Sequence, residues 1–76
     1  LERYDEARVE LVAALAQYPA DVRLNADMAL RLIEDGNLPD ARQHIERAER
    51  TDRGSMDVRY VRALLAEAEA DLAGAR

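Results

Sequence analysis

The sequence predicts an all-α fold of four antiparallel helices joined as αα-hairpins, and three observations predict it. The first is composition. Of 76 residues, 49% are hydrophobic and 36% charged, yet there is no Phe, no Trp and fifteen Ala. Helices that approach one another through small side chains use that mixture. The second is self-similarity. Tyr4-Asp-Glu-Ala-Arg8, Leu38-Pro-Asp-Ala-Arg42 and Leu72-Ala-Gly-Ala-Arg76 follow one another at an offset of 34 residues. The third is punctuation, because helix starts and stops fall at the same phase of that period.

The offset extends well beyond its opening match. Ala7 pairs with Ala41 and Ala75, Leu11 with Ile45, Ala14 with Ala48, Val22 with Met56, Ala29 with Ala63, and Leu30 with Leu64. Agreement lies in size and polarity, and the core-type positions carry it.

The helices follow in order, at roughly 4–17, 22–35, 38–51 and 56–72. In the first, Tyr4, Ala7, Leu11, Ala14 and Leu15 recur at steps of three and four, the spacing of one helix face. Tyr18-Pro19 ends it. Asp21 then offers a side-chain oxygen to the free N–H groups of the second helix. There Val22, Leu24, Ala26, Ala29, Leu30, Leu32 and Ile33 cover most of the circumference, so that helix must touch neighbours on more than one side. Gly36 provides a left-handed stop. Asn37 caps the third helix with Asp40 three residues on, a capping box with Asp in place of Glu, and Pro39 fits the first turn, where a missing N–H costs nothing. Leu38, Ala41, Ile45 and Ala48 form its apolar stripe. Gly54 and Ser55 repeat the stop and cap, and Val58, Val61, Leu64, Leu65, Ala68 and Leu72 mark the fourth helix. Links this short force neighbouring helices antiparallel.

This pattern resembles the tetratricopeptide repeat, a 34-residue helix-turn-helix unit with the signature W-x2-L-G-x2-Y, A-x3-F and a closing P. Ala7 and Leu11 match A-x3-F and Pro19 the closing P, while Ala41 and Ile45 match A-x3-F again. Met28-Ala29 stands at L-G, Leu32 at Y, and Ala14 and Ala48 at another small site. Asn25 and Arg59 depart from the signature at Trp, Arg62 at Leu, Ala66 at Tyr, Arg53 at Pro and Ala70 at the turn glycine. The resemblance implies a right-handed αα-solenoid in a shifted phase: the second helix of one repeat in 1–21, a complete repeat in 22–55 and the first helix of the next in 56–76. Repeat proteins bury their faces against neighbouring units, so the expectation is a piece of a longer solenoid. Val9, Val12 and Leu15 at one end are expected to be left partly bare, and they and Leu65 and Leu72 at the other end to seek cover. With ~1.5–3 kcal/mol available from each fully buried apolar side chain, self-association is expected, as a two-fold dimer because closed pairs are the commonest oligomers.

Few residues could carry chemistry. The chain has no Cys and no Lys, with one His (His44), one Ser (Ser55) and one Thr (Thr51). His44 and Asp40 share a helix face, but one imidazole and one carboxylate fall short of the three or four protein ligands of a zinc site. His44 is expected to face solvent. Glu34-Asp35 and Glu67-x-Glu69 read as solvated helix positions, and no phosphate loop, HExxH or GxSxG occurs. Neither an enzyme nor a cofactor is expected. There is no signal-peptide core and no run of 18 apolar residues, so no direct membrane insertion is expected. Lack of Cys leaves both periplasm and cytoplasm open. Arg without Lys, beside abundant Ala, has a bacterial style.

The partner is therefore expected to be a protein or peptide. In the resembled family the first helix of each repeat lines a concave groove, which implies Arg23, Ala26, Leu30, Ile33 and Glu34 from one helix and Asp57, Tyr60, Leu64, Glu67 and Ala68 from another. Family members that clamp an acidic C-terminal tail carry Lys, Arg and Asn at the central sites. Ala26, Leu30, Tyr60 and Leu64 stand there here, implying a mainly apolar groove. At the level of class, bacterial members serve secretion, envelope or exopolysaccharide export assemblies. The alternative is a nucleic-acid-binding helical repeat using Arg42, Arg47, Arg50, Arg53, Arg59 and Arg62. Against it stand the net charge of −5 and the interspersed Glu46, Glu49, Asp52 and Asp57.

Overall fold

The computed structural model describes residues 2–74, with side chains from residue 6 onward. The expectations for the Tyr4 side chain and for Ala75 fall outside these. Four helices form: α1 (Glu2–Gln17), α2 (Val22–Glu34), α3 (Leu38–Thr51) and α4 (Met56–Gly74). The two inner helices match the sequence reading to within a residue, while α1 and α4 each run two residues further outward.

Local chemistry sets the boundaries. The Asp21 carboxylate accepts the Leu24 N–H at 2.9 Å and opens α2. Gly36, at φ 83°, closes it. The Asn37 N–H then reaches back to the Leu32 carbonyl at 2.8 Å and the Gly36 N–H to that of Ile33 at 3.0 Å, the paired bonds of a Schellman stop. Asn37 also caps α3. Its amide oxygen accepts the Asp40 N–H at 3.4 Å, the forward half of the expected capping box; the return bond is replaced by one between side chains, the Asn37 amide nitrogen donating to Asp40 Oδ2 at 3.0 Å, because the Asn37 backbone N–H is already committed to Leu32. Ser55 Oγ accepts the Val58 N–H at 3.4 Å and starts α4.

Helix α2 is the hub. It packs on α1, α3 and α4, α3 also packs on α4, and among the described residues α1 rests on α2 alone. The core consists of Leu11 and Leu15 from α1; Ala26, Met28, Ala29 and Leu32 from α2; Ala41, Ile45 and Ala48 from α3; and Val58, Val61 and Leu65 from α4. Ala29, Ala41, Ile45, Ala48 and Leu65 are fully buried. Alanines at the centre of the α2–α3 contact let the two backbones approach closely.

Several expectations change. Leu15 and Leu65, expected to lack part of their cover, are buried: Leu15 follows Arg8 and Leu11 on the stripe turned to α2, and Leu65 continues Val58 and Val61 back toward the core. Val9, Val12 and Leu72 are exposed as expected. The offset partners of Val9 and Val12 in α3 are Gln43 and Glu46, off the buried 41/45/48 stripe. Ala7 and Ala14 are only half-buried, and Ala63 is exposed where its partner Ala29 is fully covered. No helix among the described residues is long and apolar enough to cross a membrane.

Candidate protein-interaction surface

The N-terminal halves of α2 and α4 lie side by side and leave an open cleft of roughly 330 Å³ between them. Its floor is apolar, formed by Ala26, Val61 and the half-buried Leu30, with the exposed Tyr60 standing beside it. Arg23, Asp27 and Asp57 supply the charged edge. Arg23 Nε lies 4.0 Å from Asp57 Oδ2, with the two side chains 88% and 59% exposed. So loose and hydrated an ion pair contributes little to stability and leaves both charges available. Asp27 pairs with Arg31 one turn on, at 3.7 Å.

Five of the predicted groove residues therefore meet: Arg23, Ala26, Leu30, Asp57 and Tyr60. Ile33 does not join them. It lines a second depression of roughly 420 Å³ with Gly36, Leu38, Ala68, Asp71 and Leu72, where the α2–α3 turn faces the end of α4. Leu64 is half-buried and Glu34 and Glu67 are exposed, and none of the three lines either cavity. Asp27 and Val61 were missed. They occupy one position of the 34-residue offset, four residues past Arg23 and Asp57, so the i, i+4 rule would have placed them on the same face.

The basic stretch in α3 and α4 is interwoven with acid. Arg42 Nε donates to Glu69 Oε2 at 3.1 Å and its Nη2 to Glu69 Oε1 at 2.6 Å, while Nη1 lies 3.6 Å from Glu46. The bond to Glu69, with that carboxylate's charge, holds the Arg42 pKa above its ordinary value. Arg62 meets Glu49 at 3.5 Å. Arg50 and Arg53 share a shallow depression with Glu46 and Glu49. A surface in which carboxylates alternate with the guanidinium groups presents no continuous positive field to a phosphate backbone.

His44 does not face solvent freely. The ring is half-buried and its Nδ1 lies 3.0 Å from Asn25 Oδ1. Asn25 is fully buried, and its amide nitrogen donates to the carbonyls of Pro19 and Asp21 at 2.9 and 2.8 Å. The amide oxygen must therefore turn toward α3, so a neutral His44 carries its proton on Nδ1 and donates it. Asp40 is occupied by the Asn37 cap. Among the described residues no three potential metal ligands come together.

A model of the tetratricopeptide repeat family matches residues 1–68. The chain belongs to that family. No curated protein and no solved structure matches it. The tetratricopeptide repeat is a non-catalytic helical module whose work is protein–protein interaction, and the four helices here pack in its arrangement.

Proposed function

We propose that this tetratricopeptide chain holds an apolar side chain of a partner peptide or helix in the cleft between α2 and α4. The observation that carries the reading is Tyr60. The residue is 62% exposed beside a floor of Ala26, Leu30 and Val61, a poor site for stability and a good one for contact. A Tyr offers a large rigid face at low entropic cost and a hydroxyl that stays wet or finds a polar partner. Arg23 and Asp57, opposed across the mouth, give the bound segment a direction through its flanking charges. Ile33 adds a second apolar contact further along, and Glu34, Leu64 and Glu67 contribute only where a longer partner extends past the cleft. The Lys-free, Arg-rich composition supports a bacterial source, with this segment as part of a longer solenoid in a secretion, envelope or exopolysaccharide export assembly.

A random-peptide display selection on the immobilised chain tests this. Enriched peptides should share one bulky apolar anchor flanked by charge. Tyr60→Ala should weaken them about tenfold or more, the loss typical of an interface anchor, while the thermal midpoint stays nearly unchanged. Equal binding by wild type and Tyr60→Ala would remove the cleft from the reading.

A further inference from the structure

The cleft between α2 and α4 carries more negative charge than positive, and that charge is laid out along its length. The two walls run the same way, since each helix is antiparallel to α3. In their first turns stand Arg23 and Asp57. The guanidinium is 88% exposed and lies 4.0 Å from the carboxylate, so it turns aside at little cost. Asp27 lines the cleft one turn further on, while its partner Arg31 lies outside the lining. Beyond the apolar floor the groove-side charges are Glu34 and Glu67. Glu34 follows Leu30 by four residues and Glu67 follows Tyr60 by seven, spacings that keep each on the same helix face as the residue before it. Both carboxylates are exposed, and neither has an ion pair among the described residues.

Both walls of the cleft belong to this chain. A further repeat packed before α1 or after α4 flanks one wall from outside and leaves the space between the two walls open. The surplus of carboxylates inside it is thus a property of α2 and α4 themselves.

Resting on the reading that a partner's apolar side chain occupies this cleft, we propose that the partner is a cationic segment, with Lys or Arg placed beyond the anchor toward the C-terminal end of α2. At ~1.5 Å of rise per residue, Glu34 and Glu67 lie roughly 6 and 10 Å along the walls from Leu30 and Tyr60. An extended peptide advances ~3.3 Å per residue, so a basic residue about two or three positions from the anchor meets them. The ring face of Tyr60 also attracts a cation, with Asp57 one turn before it on the same helix. An acidic segment finds only Arg23 and is repelled by Asp27, Glu34 and Glu67, which disfavours it.

Selection of a random-peptide library on the immobilised chain at low salt reads the charge of what binds. Enriched peptides should be net positive, with Lys or Arg to one side of an apolar anchor. A synthetic peptide from that selection should lose affinity at least about tenfold on the double variant Glu34→Lys/Glu67→Lys. Both sites are exposed, and Lys suits the last turn of α2, so helical content and thermal midpoint should match wild type. The same selection on the double variant should no longer enrich basic residues. Peptides that depend on Tyr60 but are neutral or acidic, or that bind the double variant as tightly as wild type, would overturn the cationic partner and leave the cleft reading in place. Failure to enrich any peptide that Tyr60→Ala weakens would remove both.

Discussion

Asn25 is where a single residue matters most to this fold. A buried amide is costly unless its hydrogen-bonding groups are satisfied, and this one is engaged on both sides, with two carbonyls and with His44. Asn25→Ala frees the Pro19 carbonyl and leaves the His44 Nδ1–H without its acceptor, so a loss of ~1–3 kcal/mol is expected in urea denaturation. The histidine adds a pH dependence. Burial lowers its pKa below the ordinary value, repulsion from Arg47 adds to the shift, and Asp40 opposes it. A folded pKa below the unfolded one means that the unfolded chain takes up the proton first. The contribution is therefore complete above about pH 6.5 and is lost as pH falls through the unfolded value toward the folded one. Stability should decline from pH 7.5 to 5.5, above the range where ordinary carboxylates titrate, and His44→Gln should flatten that decline. An unchanged slope in His44→Gln would assign it to other groups. Neither role was legible. Asn25 showed only as a departure from the family signature, and its partner lies 19 residues away on another helix, a distance no local pattern spans. Its place on the Val22–Asn25–Ala29 stripe was the one available sign.

At the scale of the helix, punctuation and spacing carried nearly all the information. Asp21, Gly36, Asn37 and Ser55 act locally, through bonds spanning five residues or fewer, and that is why the inner boundaries could be read directly. Which face each helix buries was legible where neighbours flank it on both sides, as in α2 and α3. It was less so in α1 and α4, where Leu15 and Leu65 turned out covered and Ala63 bare. Apolar spacing gives the stripe, whereas its covering depends on which helix lies opposite. In the cleft, Arg23, Ala26 and Asp27 met their offset partners Asp57, Tyr60 and Val61, whereas of the next pair, Leu30 and Leu64, only Leu30 lines it. The alanines of α3 allow a direct check. Ala41 is fully buried between α3 and its neighbours, so Ala41→Leu inserts three heavy atoms where the backbones approach closely, at an expected cost of ~1–3 kcal/mol. An unmoved urea midpoint would show that small-residue packing does not set the helix approach.

For the molecule as a whole, connectivity sets the order in which parts open. In a linear stack each helix is held only by its neighbours, so stability is distributed along the chain rather than pooled in one centre. Among the described residues α2 touches the other three helices, α3 touches two, and α1 touches α2 alone, through Leu11, Leu15 and the Arg8–Asp35 bridge. Amide exchange should accordingly be slowest in α2 and α3 and faster in α1, with the last turns of α4 beyond Leu65 joining the fast class. Leu11→Ala should speed exchange in α1 much more than in α3, because it removes contacts made to α2 without touching the α2–α3 interface. Uniform slowing or quickening of all four helices would mean a single cooperative unit and would contradict the stack.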